Sequence, residues 1–390
     1  MKNDKYVILL STADWDNPFW TNKQHVAVEL SKLGYKVLYV DSLGLRKPGL
    51  NKKDMRRIFF RILKSFKAPK KVRDNIWVWS PINLPWNDVS FARTLNKTYL
   101  NLFLNLWTKM LGFQKPWLWT YNPLTTEFLN PKKFSKTIYH CVDEIKSQPG
   151  MPKEILENEE IKLLKVSDTV FVTAPQLYET KKKWNDSIFY FSNVADYNHF
   201  NQAVTINFER PEDLKNITRP ILGFIGAVSN YKVDFKLLQH IAKSRPDYDI
   251  VIIGLVGEGD PETNVDMLMS CKNIHFLGPK KYETLPQYLK FFDVALLPNR
   301  LNEYTDNMFP MKFFEYLAAG KPVVSVNLSS IREFDGIVKI GHDYDEFLFQ
   351  IDTVLSEKNA RQGEFLDLAK EYTYESRMKK MLASIKEVNV

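Results

Sequence analysis

The chain has 390 residues, of which 44% are hydrophobic, and a formal net charge of +8 at pH 7. Its length predicts two domains, and its longest apolar runs fall short of the about 18 residues that a membrane span needs. Neither a secretory signal nor a CxxC pair is present, since the two cysteines are Cys141 and Cys271. We therefore expect a reducing, cytoplasmic setting, with no structural metal and no cofactor.

The first half of the predicted elements alternates strands and helices. Residues 5–10 form a β-prone apolar run, residues 22–33 have helical spacing that ends at Gly34, and residues 37–40 form the next strand. This strand–helix–strand order predicts a parallel sheet. Further strands are predicted at 76–79, 116–120, 137–139 and 169–173, and further helices at 90–111, 124–129, 151–166 and 175–183.

Basic residues are concentrated in this half. Residues 1–200 hold 31 Lys and Arg against 19 Asp and Glu, or +12, whereas residues 201–390 hold 23 against 27, or −4. Residues 46–73 alone contain twelve basic residues and one acid. Within them, residues 51–67 place apolar side chains at helical spacing, so we predict a basic amphipathic helix that contacts an anionic membrane surface. The predicted contacts are Arg56, Arg57, Phe59, Phe60, Arg61 and Lys64; the alternative is a core-facing helix with a solvated basic side.

A second series of strands and helices follows residues 201–220, which have no apolar period and read as a linker. Strands are predicted at 221–225, 249–253, 294–297 and 322–326, helices at 233–245 and within 281–291, and mostly helix beyond 343. The sequence therefore predicts an α/β protein with domains at 1–205 and 206–370. A C-terminal helix at 371–390 would follow, and it could cross back to the N-terminal domain.

The segment from Asn307 to Ser325 carries the clearest functional signal. An apolar loop ends in Pro310, which suits a helix's first turn, and Gly320 suits the left-handed position after the helix. A helix N-terminus with Lys312 favours a phosphate, and the carboxylate of Glu315 one turn later can accept two ribose hydroxyls. The pattern predicts a nucleotide-diphosphate site built by Phe309, Pro310, Met311, Lys312 and Glu315.

This segment resembles the donor-binding motif of the group 1 glycosyltransferases. That family has the GT-B fold, in which two doubly wound, Rossmann-like domains face a central cleft. Its pattern has two glutamates eight positions apart; the second matches Glu315, but Asn307 occupies the first position. The Pro-x-Lys-x-x-Glu-Tyr-Leu-Ala-Ala-Gly variant resembles bacterial enzymes that build capsules, exopolysaccharides and teichuronic acids. The resemblance implies a metal-independent enzyme that transfers a sugar from a nucleotide-diphosphate sugar, with a UDP-sugar as the expected donor.

Three other positions in the second half are donor-site candidates. Gly226 follows the strand at 221–225, where a glycine lets the backbone approach a phosphate closely. Lys232 could balance the diphosphate charge, as basic residues of the family do in this region. Tyr282 lies in a segment that matches the family's nucleotide-base loop. An exposed turn is the alternative interpretation for Tyr282.

The loop after the first strand supplies the acceptor-site candidates. Trp15 and Trp20 could stack on sugar faces, and Gln24 and His25 resemble a Gln-His pair of this enzyme group. The alternatives are an aromatic-packed loop and a helix cap. Asp14 and Asp16 superficially match a metal-binding DxD motif, but that motif belongs to another fold, so we predict no metal here.

Asp143 is the predicted catalytic base. It follows the strand at 137–139, and an inverting transfer needs a base for the acceptor hydroxyl. Its position resembles that of the catalytic aspartate in a xanthan-pathway glucuronosyltransferase. His140 keeps the retaining alternative open, and a helix cap is the non-catalytic alternative for Asp143.

Taken together, these residues predict a hexosyl- or glucuronosyl-type transferase of bacterial surface-glycan assembly, with inversion or retention left open. The predicted acceptor is a saccharide, linked to a polyprenyl lipid, at the inner face of the cell membrane. The predicted localisation is therefore cytoplasmic and peripheral. A non-catalytic sugar-nucleotide scaffold is an alternative, supported by Asn307. Nucleic-acid binding is disfavoured because no motif for it is present.

Overall fold

The computed structural model describes residues 5–17, 20–43, 67–82, 90–258, 260, 262–357 and 360–387. These residues group into two compact units. The first takes its members from Met1–Thr173, Leu177–Phe191 and Met378–Val390, and the second from Ala174–Gln176 and Ser192–Arg377. The six predicted membrane-contact residues between 56 and 64 lie outside the described residues.

A mixed but largely parallel sheet forms the centre of the first unit. Within the described residues it has eight strands in the order β3-β4-β2-β1-β5-β6-β7-β8, and only the β3–β4 pair is antiparallel. The strands are β1 (Lys5–Leu10), β2 (Tyr35–Val40), β3 (Lys70–Arg73), β4 (Ile76–Trp79), β5 (Trp117–Thr120), β6 (Lys136–Cys141), β7 (Thr169–Val172) and β8 (Ile188–Tyr190). The central strands are buried on both faces, which explains their continuous apolar runs.

Helices pack on this sheet. They are α1 (Asn22–Lys32), α2 (Ser90–Met110), α3 (Thr125–Phe128), α4 (Lys153–Val166), α5 (Pro175–Lys181), which joins the first unit from Leu177, and α15 (Tyr374–Glu387), which joins it from Met378. Met378, Met381 and Ile385 of α15 belong to the same buried apolar cluster as Val26 and Leu30 of α1. These three residues of α15 are therefore part of the first unit's core.

The second unit has a fully parallel sheet. Its six strands among the described residues run in the order β11-β10-β9-β12-β13-β14. They are β9 (Ile221–Ile225), β10 (Asp249–Ile253), β11 (Ile274–Phe276), β12 (Val294–Leu297), β13 (Val323–Val326) and β14 (Lys339–Gly341).

Nine helices of the described residues surround that sheet: α6 (Tyr197–Phe200), α7 (Gln202–Thr205), α8 (Phe235–Ser244), α9 (Asp266–Met269), α10 (Leu285–Leu289), α11 (Glu303–Asp306), α12 (Lys312–Ala318), α13 (Tyr344–Ser356) and α14 (Gln362–Glu371). The predicted linker 201–220 contributes Ala203, Leu214 and Ile217 to this unit's buried core. Residues 201–220 therefore pack on the second unit instead of forming an exposed linker. Their few apolar side chains reach the core, although they are not spaced at a helical period.

Strand order explains where ligands are expected in each unit. In each sheet the strands that come next in the chain lie on one side of the first strand and the later strands lie on its other side, so the order reverses beside β1 and beside β9. Ligands of doubly wound sheets bind outside the carboxyl ends of the strands at such a reversal. The prediction of two doubly wound α/β units is confirmed.

Candidate functional site

The loops after β9 and β10 approach each other closely in the second unit. The Gly226 N–H donates to the carbonyl oxygen of Ile253 at 2.9 Å. A Cβ placed on Gly254 would lie 1.8 Å from the Gly226 carbonyl oxygen, so no side chain fits there. Gly226 is half-buried and lies just after the carboxyl end of β9, the place at which the sequence predicts an approach to phosphate.

Helix α12 begins at Lys312 and brings the two charged candidate residues together. The Lys312 Nζ lies 2.5 Å from the Glu315 Oε2, one turn further on. Glu315 is buried to 4% exposure, while about a quarter of the Lys312 side chain is exposed, at 26%. Gly320 ends the helix with φ of +68°, where its predicted left-handed conformation is observed.

Several ionisable groups of the second unit surround Glu315. Burial raises the pKa of Glu315, Lys312 and His199 oppose that rise, and Asp196 adds to it. Burial also raises the pKa of the Tyr282 hydroxyl, and the Glu315 carboxylate is the next cause. The arrangement combines a buried carboxylate with one flexible, partly exposed cation, which suits a polar ligand bearing both hydroxyls and phosphates.

Tyr282 forms part of this cluster through its ring. It stacks on His199 with ring centroids 4.4 Å apart and an interplanar angle of 13°. The His199 Nε2 is also 2.9 Å from the Tyr282 carbonyl oxygen. His199 and Asp196 were not among the residues predicted for the donor site, so their place beside Glu315 was not anticipated.

The loop before α12 contributes backbone rather than aromatic side chains. The Phe309 ring is buried and stacks on Phe314 at 5.5 Å, and Pro310 is buried too. The Asn193 amide donates to the Phe309 carbonyl oxygen at 2.6 Å and thereby holds the loop. Phe309 stays a donor-site prediction that would act through its backbone, because its apolar ring packs in the core. Met311 is half-buried at the start of the helix.

Asn307 and Lys232 occupy different surroundings. The Asn307 amide donates to the Glu303 carbonyl oxygen at 2.8 Å, while its Oδ1 has no hydrogen-bond partner in the described residues. The Lys232 ammonium lies over the rings of Tyr231 and Tyr304, at 5.3 and 5.8 Å. Its position in the loop after β9 remains compatible with phosphate binding, but its contacts differ from those of Lys312.

In the first unit, Asp143 follows β6 and lines a small pocket together with Glu144 and Lys146. The next residue, Glu144, is buried and paired with Lys181 of α5 at 3.1 Å. Lys181 also contacts Glu160 of α4 at 2.8 Å. A buried network of three charges thus holds the loop on which Asp143 lies.

Lys23 is a buried cation beside Asp143 that the sequence did not single out. It is 8% exposed, and its ammonium lies 5.6 Å from the centre of the Tyr121 ring. Burial lowers the pKa of Lys23, and the nearby Asp143 and Cys141 oppose that shift. The sequence feature that could have indicated it is the run of three polar residues Asn22-Lys23-Gln24 at the start of α1. All three are buried in the structure.

Two of the acceptor candidates have structural roles instead. The Trp15 ring is buried against Tyr39, and the backbone N–H of Trp15 donates to the Asp41 carboxylate at 2.8 Å. Gln24 is fully buried; its Oε1 accepts from the Thr21 N–H and its Nε2 donates to the Asp14 carbonyl. The structure shows that the Trp15 ring fills the core and that the Gln24 amide closes the loop, so acceptor contact by these two side chains stays a prediction that burial does not support.

Trp20 and His25 stay near the surface of the first unit. Trp20 contacts the edge of His25 at 5.5 Å, and the Arg73 guanidinium lies 4.9 Å above the Trp20 ring. Both residues are half-buried, so a sugar face or hydroxyl can still reach them.

His140, the candidate for the retaining alternative, is fully buried. Its ring lies among Trp119, Tyr121 and Phe171, with centroid distances of 4.8 to 6.0 Å. It therefore does not reach the surface at the end of β6 as the sequence suggested. Among the described residues, no group of three or more His, Cys, Asp or Glu is placed to hold a metal ion.

Comparison with known proteins finds a family match within the second unit. Residues 219–357 match the family model described as Glycosyl transferases group 1. The chain is also 28% identical over 215 residues to TuaH of Bacillus subtilis strain 168, a protein whose name assigns it to teichuronic acid biosynthesis as a glycosyltransferase. The match covers 50% of this chain and 52% of TuaH, so it spans about half the length of that relative.

Solved structures share the whole fold at low identity. Sucrose-phosphate synthase from Thermosynechococcus elongatus is 14% identical with a TM-score of 0.68, and the match covers 99% of both chains. Anabaena Alr3699/HepE, solved in complex with UDP, is 12% identical with a TM-score of 0.67, covering 98% of this chain and 100% of that chain. The predicted GT-B fold and the resemblance to group 1 glycosyltransferases are confirmed. Within the described part of the chain, no helix is both long and apolar enough to span a bilayer.

Proposed function

We propose, from the place of residues 219–357 in the group 1 glycosyl transferases, that this chain is a glycosyltransferase. It transfers a sugar from a nucleotide-diphosphate sugar to a saccharide in the assembly of a bacterial surface polysaccharide. The observation that carries the proposal is the Lys312–Glu315 pair on α12, inside the segment that the family model matches. The name of the TuaH relative supports the polysaccharide assignment.

The donor is a UDP-sugar, held by the second unit. Glu315 accepts the ribose hydroxyls, and Lys312 is close enough to exchange its carboxylate contact for a phosphate oxygen, because its side chain is partly exposed. The backbone at Gly226 and the Tyr282–His199 stack complete the binding surface. The UDP complex of the Anabaena structure supports this choice of nucleotide.

Asp143 is the base that accepts the proton of the acceptor hydroxyl. Its loop is held by the Glu144–Lys181–Glu160 network, so its carboxylate starts from a fixed backbone. Lys312 stabilises the charge that develops on the leaving diphosphate, and the reaction requires no metal. Trp20 and His25 offer a partly exposed surface to the acceptor.

The acceptor is a saccharide on a polyprenyl lipid, and the protein is peripheral to the inner face of the cell membrane. The excess of basic residues supports this location: residues 1–200 carry 31 Lys and Arg against 19 Asp and Glu. Such a charge favours an anionic leaflet.

Transfer of a labelled sugar tests the proposal. Purified protein is incubated with several UDP-sugars and a bacterial lipid extract, and label in the lipid fraction is measured. The wild type should label the lipid with one of the donors, and Asp143→Asn should lower the rate by about 100-fold or more, since it removes the base. Asp186→Asn, an exposed aspartate of the same unit, is the matched control.

UDP binding without transfer to any acceptor would favour the scaffold alternative, for which Asn307 at the family's first glutamate position is the supporting observation. Full activity in Asp143→Asn would remove Asp143 from the mechanism. If transfer occurs, the anomeric configuration of the product distinguishes inversion from retention.

A further inference from the structure

A buried lysine lies at the carboxyl ends of three neighbouring strands in the first unit. Lys23 is the second residue of α1, the next helix after β1, and it is 8% exposed. Strands β1, β5 and β6 are adjacent and parallel, and Tyr121 and Asp143 lie just after β5 and β6. Residues that follow parallel strands meet at one edge of the sheet, so these three lie close together.

The contacts of Tyr121 fix the surroundings of the Lys23 ammonium. The Lys23 Nζ is 5.6 Å from the centre of the Tyr121 ring. The backbone N–H of Tyr121 donates to the carbonyl oxygen of Leu10, the last residue of β1, at 3.0 Å. The Tyr121 ring also packs on the His140 ring of β6, with centroids 4.8 Å apart. The ammonium therefore lies beside a ring that both neighbouring strands hold in place.

Asp143 is the acidic neighbour of this ammonium. Burial lowers the pKa of Lys23, and the charge of Asp143 is the largest effect that opposes the shift. Cys141 can oppose it only as a thiolate, and burial raises the pKa of that thiol, so Cys141 is uncharged at neutral pH. Lys23 and the half-buried Asp143 are therefore the oppositely charged pair at this place.

Two glutamates near Asp143 make a positive charge there necessary. Glu144 follows Asp143 in the same loop, and Glu160 of α4 lines the same small pocket. Lys181 of α5 lies between these two glutamates, at 3.1 and 2.8 Å. One ammonium shared by two carboxylates leaves a negative charge beside Asp143, and a like charge disfavours ionisation of its carboxyl group.

Two further titratable groups near Asp143, within the described residues, carry no spare positive charge. Lys146 lines the same pocket and pairs with Glu157 at 2.8 Å. Burial raises the pKa of the Tyr139 hydroxyl, which is therefore uncharged at neutral pH. Lys146 already shares its charge with a glutamate, so Lys23 is the lysine placed to stabilise the Asp143 carboxylate.

We propose that Lys23 is a positioning residue for Asp143. Its ammonium holds the neighbouring carboxyl group in the ionised form, which is the form that can accept the proton of the acceptor hydroxyl. The role of this pair in sugar transfer rests on the proposed function. The coupling between the two side chains does not, and it can be measured without a substrate.

Titration of the Asp143 carboxyl group tests the proposal. The full chain is labelled with ¹³C at the aspartate side-chain carboxyl carbon, and the Asp143 resonance is the one missing from Asp143→Asn. Lys23→Met removes the charge but keeps much of the apolar stem, so the midpoint of the titration should rise by about one pH unit. Lys23→Arg keeps the charge and should have a midpoint close to that of the wild type.

Lys32→Met is the matched control on the same helix. The Lys32 side chain is 62% exposed and pairs with Glu29 at 2.7 Å, so its loss should not move the Asp143 midpoint. Cooperative thermal unfolding of the same samples shows that each variant is folded. Lys23→Gln, which is neutral and polar, replaces Lys23→Met if Lys23→Met does not fold.

The pH profile of sugar transfer gives a second readout. In Lys23→Met the acid limb of kcat/KM should move by the same amount, so the rate falls about tenfold on the acid side and recovers at higher pH. The KM for the UDP-sugar should stay unchanged, because the donor-site candidates lie in the second unit. A structural role would instead lower stability and leave the acid limb in place.

Three results would overturn the proposal. They are an Asp143 midpoint that Lys23→Met does not move, an equal shift in Lys23→Arg and Lys23→Met, and a raised KM for the acceptor with an unmoved midpoint. The last result would assign Lys23 to an anionic group of the acceptor. A shifted midpoint in a protein that transfers no sugar supports the coupling and rejects the proposed function, so the two failures are distinguishable.

Discussion

Glu315 and Lys312 are more interdependent than their spacing alone suggests. Glu315 is nearly inaccessible to solvent, and burial raises its pKa; the cation that opposes this rise is the same lysine that the sequence assigns to the donor phosphate. A phosphate that attracts Lys312 would weaken that contact while the ribose hydroxyls replace it. Donor binding is therefore expected to exchange one set of charge-assisted hydrogen bonds for another.

Asp41 is a second buried carboxylate, located just after β2. Its carboxylate accepts hydrogen bonds from the backbone N–H of Trp15 and from the Ser80 hydroxyl. Burial nevertheless raises its pKa from 3.8 to about 6, and the nearby Asp14 and Asp16 add to this rise. The folded state thus holds the proton more tightly than the unfolded chain. This stabilisation is complete below the unfolded pKa and is lost as the pH rises through about 6.

The side chain of Asp41→Asn is neutral at every pH. We therefore predict that the free energy of unfolding of this variant rises relative to that of the wild type as the pH rises. Its relative free energy of unfolding should increase by about 2–3 kcal/mol between pH 4 and pH 8, following 1.36 kcal/mol per pKa unit. Urea unfolding at several pH values measures this. The exposed Asp186→Asn serves as control and should show little change with pH. A relative stability of Asp41→Asn that is constant with pH would contradict the prediction.

The role of a site residue could be predicted from the sequence where the residue belongs to a motif. It could not be predicted where the role depends on whether the side chain is buried. Lys312 and Glu315 follow from local spacing on one helix. Trp15 and Gln24 were assigned to the acceptor because of their residue types, but an aromatic ring or an amide serves a core or a loop equally well. Lys23 illustrates the converse, since nothing in a lysine's local sequence indicates that its ammonium is buried.

At the scale of elements, ion pairs fasten the helices of the first unit to the loop that bears Asp143. Lys181 at the end of α5 contacts Glu144 after β6 and Glu160 on α4, and the Tyr139 hydroxyl donates to Glu160 at 2.6 Å. Burial alone would disfavour the charged form of Lys181, but the surrounding acidic groups raise its pKa.

Lys181→Met should leave two buried carboxylates without their cation. We expect a loss of roughly 3–5 kcal/mol in the free energy of unfolding of the first unit at pH 7, measured by urea unfolding. Lys182→Met is the control, because Lys182 is exposed and its ion pair with Glu179 is exposed as well. Equal effects of the two substitutions would show that the network contributes little.

The glycine contact between the loops after β9 and β10 gives a second prediction for the elements. Gly254→Ala would place a Cβ against the Gly226 carbonyl oxygen, so the loops must separate. We expect a loss of more than about 3 kcal/mol in the stability of the second unit, visible as a lower thermal midpoint. Gly363→Ala on α14 meets no atom within 4 Å and should stabilise by about 0.5–1 kcal/mol. A neutral Gly254→Ala would contradict the close approach.

Long buried strands were predictable from their apolar runs, and β1, β4, β9, β10 and β12 have the predicted bounds. Four strands were missed. Lys70–Arg73 is charged because it is an antiparallel edge strand, while β8, β11 and β14 are three residues each and too short to show a period. Their pairing is decided by neighbouring strands rather than by their own sequence.

At the scale of the whole molecule, the proposed function requires two properties, and each is found in a different half of the chain. The basic excess belongs to the first 200 residues, whereas the donor-site candidates from Gly226 to Glu315 all lie in the second unit. The two-unit fold followed from repeated strand–helix alternation. Residues 192–220 could not be placed from sequence, because sparse apolar residues such as Leu214 pack only once the second core exists.

The central claim is that the second unit binds a nucleotide-diphosphate sugar through Glu315. Calorimetric titration of UDP and GDP into the wild type and Glu315→Ala tests it most directly, with Glu364→Ala, from an exposed pair with Arg361, as the matched control. We predict micromolar UDP binding by the wild type and the control, weaker GDP binding, and a loss of about tenfold to 100-fold in Glu315→Ala, since hydrogen bonds to a charged group are removed. Equal UDP affinity of Glu315→Ala and the wild type, or no nucleotide binding by either, would contradict the account.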